Sequence, residues 1–414
     1  MNSHRTKKEF LAGVILSFWM LTSLSFRSIE SEIENVAFTD VIVDYKFDQS
    51  LVIEGKINRP STLQDIKDVY IVLQPESSPS ITEKLSLVQP DRISFEHDLY
   101  QNPWYPFERI EFNFHVLFQD GSEENSENYW FVYEDNRFTW QNDLSDQDFR
   151  ISWNSGEQEI GYSILEIARA GLHSVQSYLP IKPSRPIQII AYQNTGDLQD
   201  ALRLDQQYWV AGHTIPEMST IYISIPVGPS QQFELERMIP HEISHVLEYS
   251  FTGGNLEQLP PWLVEGIASI SETYPNPDYL RILDSAINNK QLIPIQDLCI
   301  SFPTDASTVY LAYAQSASFT RFLYKKFGSS GLQNVMLQYA DGLDCQEGIK
   351  AVFGMSLSQL EYRWQQEVLG VNTTSLVFQN ISPYLLLLLI VGIIPITPYL
   401  FRHRHRQDDD RKKE

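Results

Sequence analysis

The spacing of apolar residues changes partway along this chain, and that change limits what the chain can fold into more than any single residue does. From Ile33 to Trp140 apolar and polar residues alternate in short runs, "VAFTDVIVDYKF", "SLVIEGKI", "DVYIVLQP", "RISFEHDL", "RIEFNFHVLFQDG" and "NYWFVYEDNRF". Alternation at period two places every second side chain on one face of a strand. Asp120-Gly121, inside one such stretch, is a hairpin-turn pair. Past "DNRFTWQNDLSDQD" the period lengthens: Ile160, Ile164, Ile167, Ala168, Gly171 and Val175 recur at three and four, the face of a helix.

The first segment, residues 33–140, therefore predicts an antiparallel β-sandwich of immunoglobulin or fibronectin III kind. The second, residues 150–370, predicts strands at "PIQIIAYQN" and "STIYISIPV" with a short helix capped by Thr195 between them. Helices follow over 232–250, 261–274, 277–288, 312–327, 331–339 and 356–369. A few strands followed by a run of helices makes the class α+β. No catalytic constellation is visible in the sandwich, where His97 and His115 stand alone among strand residues.

The chain has 414 residues, room for two cores, and a formal charge of −22. Each end is basic by two charges, which leaves −26 between them and argues against nucleic acid as a partner. Two apolar runs flank the acidic middle. Phe10–Phe26 follows a basic stretch, so residues 1–26 are expected to be a signal peptide or an uncleaved N-terminal anchor. Ser382–Phe401, followed at once by "RHRHR", is expected to be a transmembrane helix with residues 402–414 as a cytoplasmic tail. The sequence thus predicts a cell-membrane protein, single-pass or double-pass, with its main domains extracytoplasmic. In that oxidising setting Cys299 and Cys345, the two cysteines of the chain, are expected to form an intrachain disulfide. With no CxxC pair, a zinc thiolate site is the weaker reading.

The chemistry is concentrated in "MIPHEISHVLEYS". His241 and His245 lie four apart, so on a helix both imidazoles reach toward one point, as a tetrahedral zinc requires. Glu242, next to the first of them, projects beside that point, where a carboxylate can take a proton from water. A catalytic zinc usually takes three protein ligands. Twenty residues past His245, in "LPPWLVEGIASISE", Glu265 falls among Trp262, Leu263, Ile267 and Ala268, where burial would make an unpaired carboxylate costly and a cation would neutralise it. Pro240, directly before His241, lacks a backbone donor, so the helix either bends there or begins there.

"HEISH" followed by "WLVEGIAS" resembles the gluzincin metallopeptidases, the thermolysin-like division of the peptidase MA clan. With the later "YAQSASF" the chain is most similar to peptidase MA-like domain proteins, which are bacterial and extracytoplasmic. The resemblance covers roughly residues 158–370. It implies a thermolysin-like, mostly helical catalytic domain, a Zn2+ cofactor held by His241, His245 and Glu265, Glu242 as general base, and a peptide or protein substrate. It also implies an edge strand along the substrate, a place that "STIYISIPV" is positioned to fill. Tyr313 in "LAYAQSASF" is the candidate oxyanion donor, and His213 in "WVAGHT" is a candidate substrate contact.

The leading expectation is a membrane-anchored zinc metallopeptidase whose sandwich serves as a spacer or docking module. One alternative is a catalytically silent cell-envelope binding or structural protein that keeps the metallopeptidase fold. Another is an aminopeptidase of the same clan; the Gly-x-Met-Glu-Asn segment that holds a free amine in those enzymes is not found here, which favours an endopeptidase.

Overall fold

The structure is a computed structural model that describes residues 36–58, 66–89, 91–154, 156, 158–204, 211–371, 384 and 387. Among the described residues the first part has nine strands: β1 Ala37–Lys46, β2 Ser50–Asn58, β3 Ile66–Pro75, β4 Ile81–Lys84, β5 Ser86–Gln89, β6 Arg92–Asp98, β7 Glu108–Phe118, β8 Glu123–Asn125 and β9 Tyr129–Tyr133. They form two antiparallel sheets, one ordered β1-β2-β6-β5 and the other β4-β3-β7-β8 with β9 also on β7. Leu51, Ile53 and Phe95 from one sheet share a single apolar cluster with Ile71, Phe112 and Phe114 from the other. The alternating pattern is what allows this, since each strand sends every second side chain inward.

A third sheet carries the second part. It contains β10 Gln141–Ser145, β11 Phe149–Trp153, β12 Ile187–Tyr192, β13 Gly212–Ile215 and β14 Thr220–Ser224, in the order β10-β11-β12-β14-β13. The three central strands run parallel and the two outer ones antiparallel to their neighbours. On one face, Ile189, Ala191, Ile221 and Ile223 join the main helical core. On the other, Ile190, Tyr192 and Tyr222 join the core of the sandwich. The sheet is therefore buried on both sides, as its nearly continuous apolar strands require.

Among the described residues there are eight helices: α1 Gln158–Gln176, α2 Thr195–Leu202, α3 Gln231–Phe251, α4 Pro261–Ser271, α5 Pro277–Asn289, α6 Ala306–Ala340, α7 Cys345–Phe353 and α8 Leu357–Glu367. The long α6 is broken at Gly328, whose φ of 72° no helix accommodates, so two helical pieces meet there. A disulfide joins Cys299 to Cys345, pinning the loop before α6 to the start of α7.

Two sequence expectations are corrected. The reading of Ser382–Phe401 as a transmembrane helix does not stand, nor does the placement of the chain as a single-pass or double-pass membrane protein. Among the described residues no helix is long and apolar enough to cross a membrane. An apolar run supplies only the length of a span. Residues 382–401, apart from Tyr384 and Leu387, lie outside the described residues, as do residues 1–26 and 402–414. The second correction concerns the edge strand. "STIYISIPV" supplies β14, which lies between β12 and β13, and the edge belongs to β13.

Candidate metal centre

The helix α3 runs through Pro240 without interruption. Pro240 packs on Gly171 of α1, where an added Cβ would come within 2.9 Å of the proline ring. Glycine at 171 is what lets the two helices approach this closely. Because Pro240 has no N–H, the carbonyl of Glu236 loses its helical partner. That carbonyl accepts instead from the backbone N–H of Thr273, just past the end of α4, at 3.3 Å. The proline thus ties the end of α4 to the middle of α3.

One turn separates His241 from His245, and their rings meet edge to face with centroids 5.1 Å apart. Glu265, in the second turn of α4, brings Oε2 to 3.3 Å from His241 Nε2. One ligand atom from each of His241, His245 and Glu265 lies within 4.8 Å of the others, a grouping able to hold a metal ion. The donor set passes a further test. Glu265 Oε2 is buried and has no hydrogen-bond partner, so its 3.3 Å approach to the imidazole nitrogen lacks the geometry of a shared proton. Two ligand atoms at about 2.0–2.2 Å from one tetrahedral ion stand roughly 3.3–3.6 Å apart, which is the spacing observed.

Each imidazole is held from behind. His241 Nδ1 lies 3.1 Å from Glu272 Oε1, and His245 Nδ1 lies 3.3 Å from Glu248 Oε2. Glu248 is fully buried and also accepts from Ser244 Oγ at 2.8 Å. Since a carboxylate only accepts, the ring proton belongs on Nδ1 in both residues, leaving Nε2 free to act as a ligand. Burial works to lower the pKa of His241, but the carboxylates of Glu265 and Glu272 outweigh it and hold the value well above the ordinary one. The same contest at His245, between burial and Glu248 with Glu265, also ends upward. Burial pushes the Glu265 carboxyl up, while His241 and His245 more than offset that and keep it below its usual range. This pocket attracts positive charge.

Glu242 is oriented by β13. Its Oε2 accepts from Thr214 Oγ1 at 2.7 Å. Beside it, a Cβ on Gly212 would sit 2.6 Å from Oε1 and displace the carboxylate from this position. Tyr313, on α6, lines the same cleft of about 200 Å3 together with Arg237, Tyr279 and Tyr310. The charge of Glu265, then burial, pushes the Tyr313 phenol up, so it stays protonated and able to donate. His213 on β13 pairs with Tyr222 of β14, and the charges of Glu242 and His245 both act on its ring. Burial lowers its pKa, and among the described residues it makes no hydrogen bond.

Sequence reasoning missed Glu248, Glu272, Thr214 and Gly212. Two of these left a signal: Glu248 is three residues past His245, and Glu272 is seven past Glu265, two turns along the same helical face.

An HExxH helix facing a carboxylate from the next helix, on an α+β scaffold, defines the class of candidate metallopeptidases. Residues 167–370 match the family model described as the Peptidase MA superfamily. No curated protein matches the chain. Among solved structures, an aminopeptidase N family protein from Idiomarina loihiensis aligns at 9% identity over 80% of this chain and 75% of its own, with a TM-score of 0.38. An M1 zinc metallopeptidase from Deinococcus radiodurans aligns at 9% identity over 80% of this chain and 92% of its own, with a TM-score of 0.35. Overlaps this loose carry no argument for fold or function.

Proposed function

We propose that this chain is a zinc metallopeptidase that hydrolyses peptide bonds, with His241, His245 and Glu265 holding the ion. The observation that carries the reading is the buried Glu265 oxygen, which has no hydrogen-bond partner and lies at ligand spacing from an imidazole nitrogen that Glu272 orients. A zinc bound there would polarise a carbonyl and lower the pKa of water from 15.7 towards about 7. Glu242, held by Thr214, takes the proton from the attacking water and passes it to the leaving amine. Tyr313 donates to the oxygen that gains charge as the carbonyl carbon becomes tetrahedral. An extended substrate pairs with the outer edge of β13, whose Gly212 end adjoins Glu242. His213, near enough to Glu242 and His245 to feel both charges, remains the candidate substrate contact.

The test is metal analysis of the full-length protein together with cleavage of casein or a peptide library. One zinc per chain is expected. Glu265→Ala is expected to lose the metal, and Glu242→Gln to keep it while cleavage falls by a factor of about 10² or more. A folded preparation that takes up no zinc ends the proposal, and zinc without hydrolysis of any peptide assigns the chain to the catalytically silent reading.

A further inference from the structure

The groove between α5 and α6 touches the candidate metal cleft but is distinct from it. It encloses about 430 Å3, within the size range of small-molecule sites. Its walls are apolar: Leu280 and Leu283 from α5 face Ala314, Ala317 and Phe322 from α6. Leu280 is 74% exposed, so part of this apolar wall stands open to water. The helix α5 is held to α6 by a small cluster of four buried residues, Leu283, Ala286, Leu311 and Ala314, separate from the main core. A shallow contact of this kind leaves a groove rather than a sealed interface.

The groove has two unlike ends. Residues 314, 317, 318, 321, 322 and 325 recur at threes and fours, so one face of α6 lines it lengthwise over about 16 Å. Tyr279, which also lines the metal cleft, stands toward the Ala314 end. At the other end Arg321 and Lys325 sit one turn apart. Among the described residues neither forms an ion pair, whereas the adjacent Lys326 is bound by Glu367 at 2.6 Å. The chain has 53 acidic residues against 31 basic ones, so acidic partners are plentiful. Two neighbouring cations without one, at the end of an apolar groove, complement an anion carried on an apolar body.

We propose that the α5–α6 groove binds an alkyl carboxylate, with the carboxylate held by Arg321 and Lys325 and the chain lying along α6 toward Tyr279. A guanidinium matches a carboxylate with two parallel hydrogen bonds, and the ammonium one turn away adds charge without demanding a fixed geometry. This assignment does not depend on the zinc reading, because binding is measured whether or not the protein carries metal or cleaves peptides.

Isothermal titration of the full-length protein with dodecanoate, below its micelle concentration, tests it. Dodecanol and dodecyltrimethylammonium serve as uncharged and cationic probes of equal chain length. One dodecanoate per chain is expected, bound at least tenfold more tightly than either control. The double variant Arg321→Ala, Lys325→Ala is expected to weaken dodecanoate tenfold or more while leaving dodecanol unchanged. Leu280→Asp, a substitution at an exposed position, is expected to weaken both, with circular dichroism showing the variants folded. No binding, several ligands per chain, equal affinity for the three probes, or a double variant that binds dodecanoate normally overturns the proposal. Tighter binding of a trileucine peptide through its free carboxylate also overturns it, by giving the groove to peptide C-termini.

Discussion

Pro240 removes a backbone donor from the middle of α3, and the carbonyl it leaves at Glu236 is used rather than lost. Thr273 takes that carbonyl, and Thr273 follows Glu272, whose carboxylate holds His241 Nδ1. A proline next to the first histidine therefore helps fix the residue that orients that histidine. In Pro240→Ala the helix regains an N–H that competes with Thr273 for the same carbonyl. Zinc affinity is expected to fall about tenfold, the low end of what losing a supporting partner of a ligand costs, while the helix remains intact. Competition against a chromophoric chelator measures this, and an unchanged affinity would separate Pro240 from the metal centre. At this scale the legible residues were those whose relation is local. His241, Glu242 and His245 can be read from one helical repeat, and Glu265 stood out as a carboxylate in an apolar helix. The backing by Glu272 and the hold of Thr214 on Glu242 join segments 31 and 28 residues apart, and no spacing rule announces them.

At the scale of elements, the centre depends on how closely three of them approach. Gly266 lets α4 lie against α6, since a Cβ there would fall 2.0 Å from Thr320 Oγ1 and 2.9 Å from the Ser316 carbonyl oxygen. Gly212 does the same for β13 against α3. Gly212→Ala is a selective probe of that second approach, because the new methyl group meets Glu242 and none of the three candidate ligands. Zinc content is expected to stay at the parent level and cleavage to drop at least tenfold, by displacement of the Glu242 carboxylate. Parallel metal analysis and peptide assay distinguish this from collapse of the site; loss of both together would show that β13 supports the ligands as well. The place of β13 also explains where sequence reasoning went astray. "TIYIS" is buried at every position, and a strand apolar on both faces belongs inside a sheet, so the composition of β14 already argued against an edge. Strand order, by contrast, leaves no mark in the order of the residues.

For the whole molecule, the decisive fact is that the third sheet is covered on both faces, by helices on one side and by the sandwich on the other. Ile190, Tyr192, Ile215, Met218 and Tyr222 of the second part are buried in the same cluster as Phe95, Phe112 and Tyr133 of the first. Polar groups lock the contact. Tyr222 donates to the Pro106 carbonyl at 2.7 Å, Tyr192 meets the buried Asp135, and Arg203 reaches Asp48 and the carbonyls of Leu99 and Tyr100. The sandwich therefore walls the core of the second part. The alternating pattern revealed its strands but could not show what the outer face of "IQIIAY" rests upon. A shared core predicts shared unfolding. Scanning calorimetry of the full-length protein should give one cooperative transition, and a fragment of residues 141–371 should fail to fold into a zinc-binding form, because its sheet would present two tyrosines and several aliphatic side chains to water. Two well-separated transitions, or a soluble fragment that binds zinc as tightly as the whole chain, would show the two parts to be independent. In that case the candidate metal centre would owe nothing to the sandwich behind it.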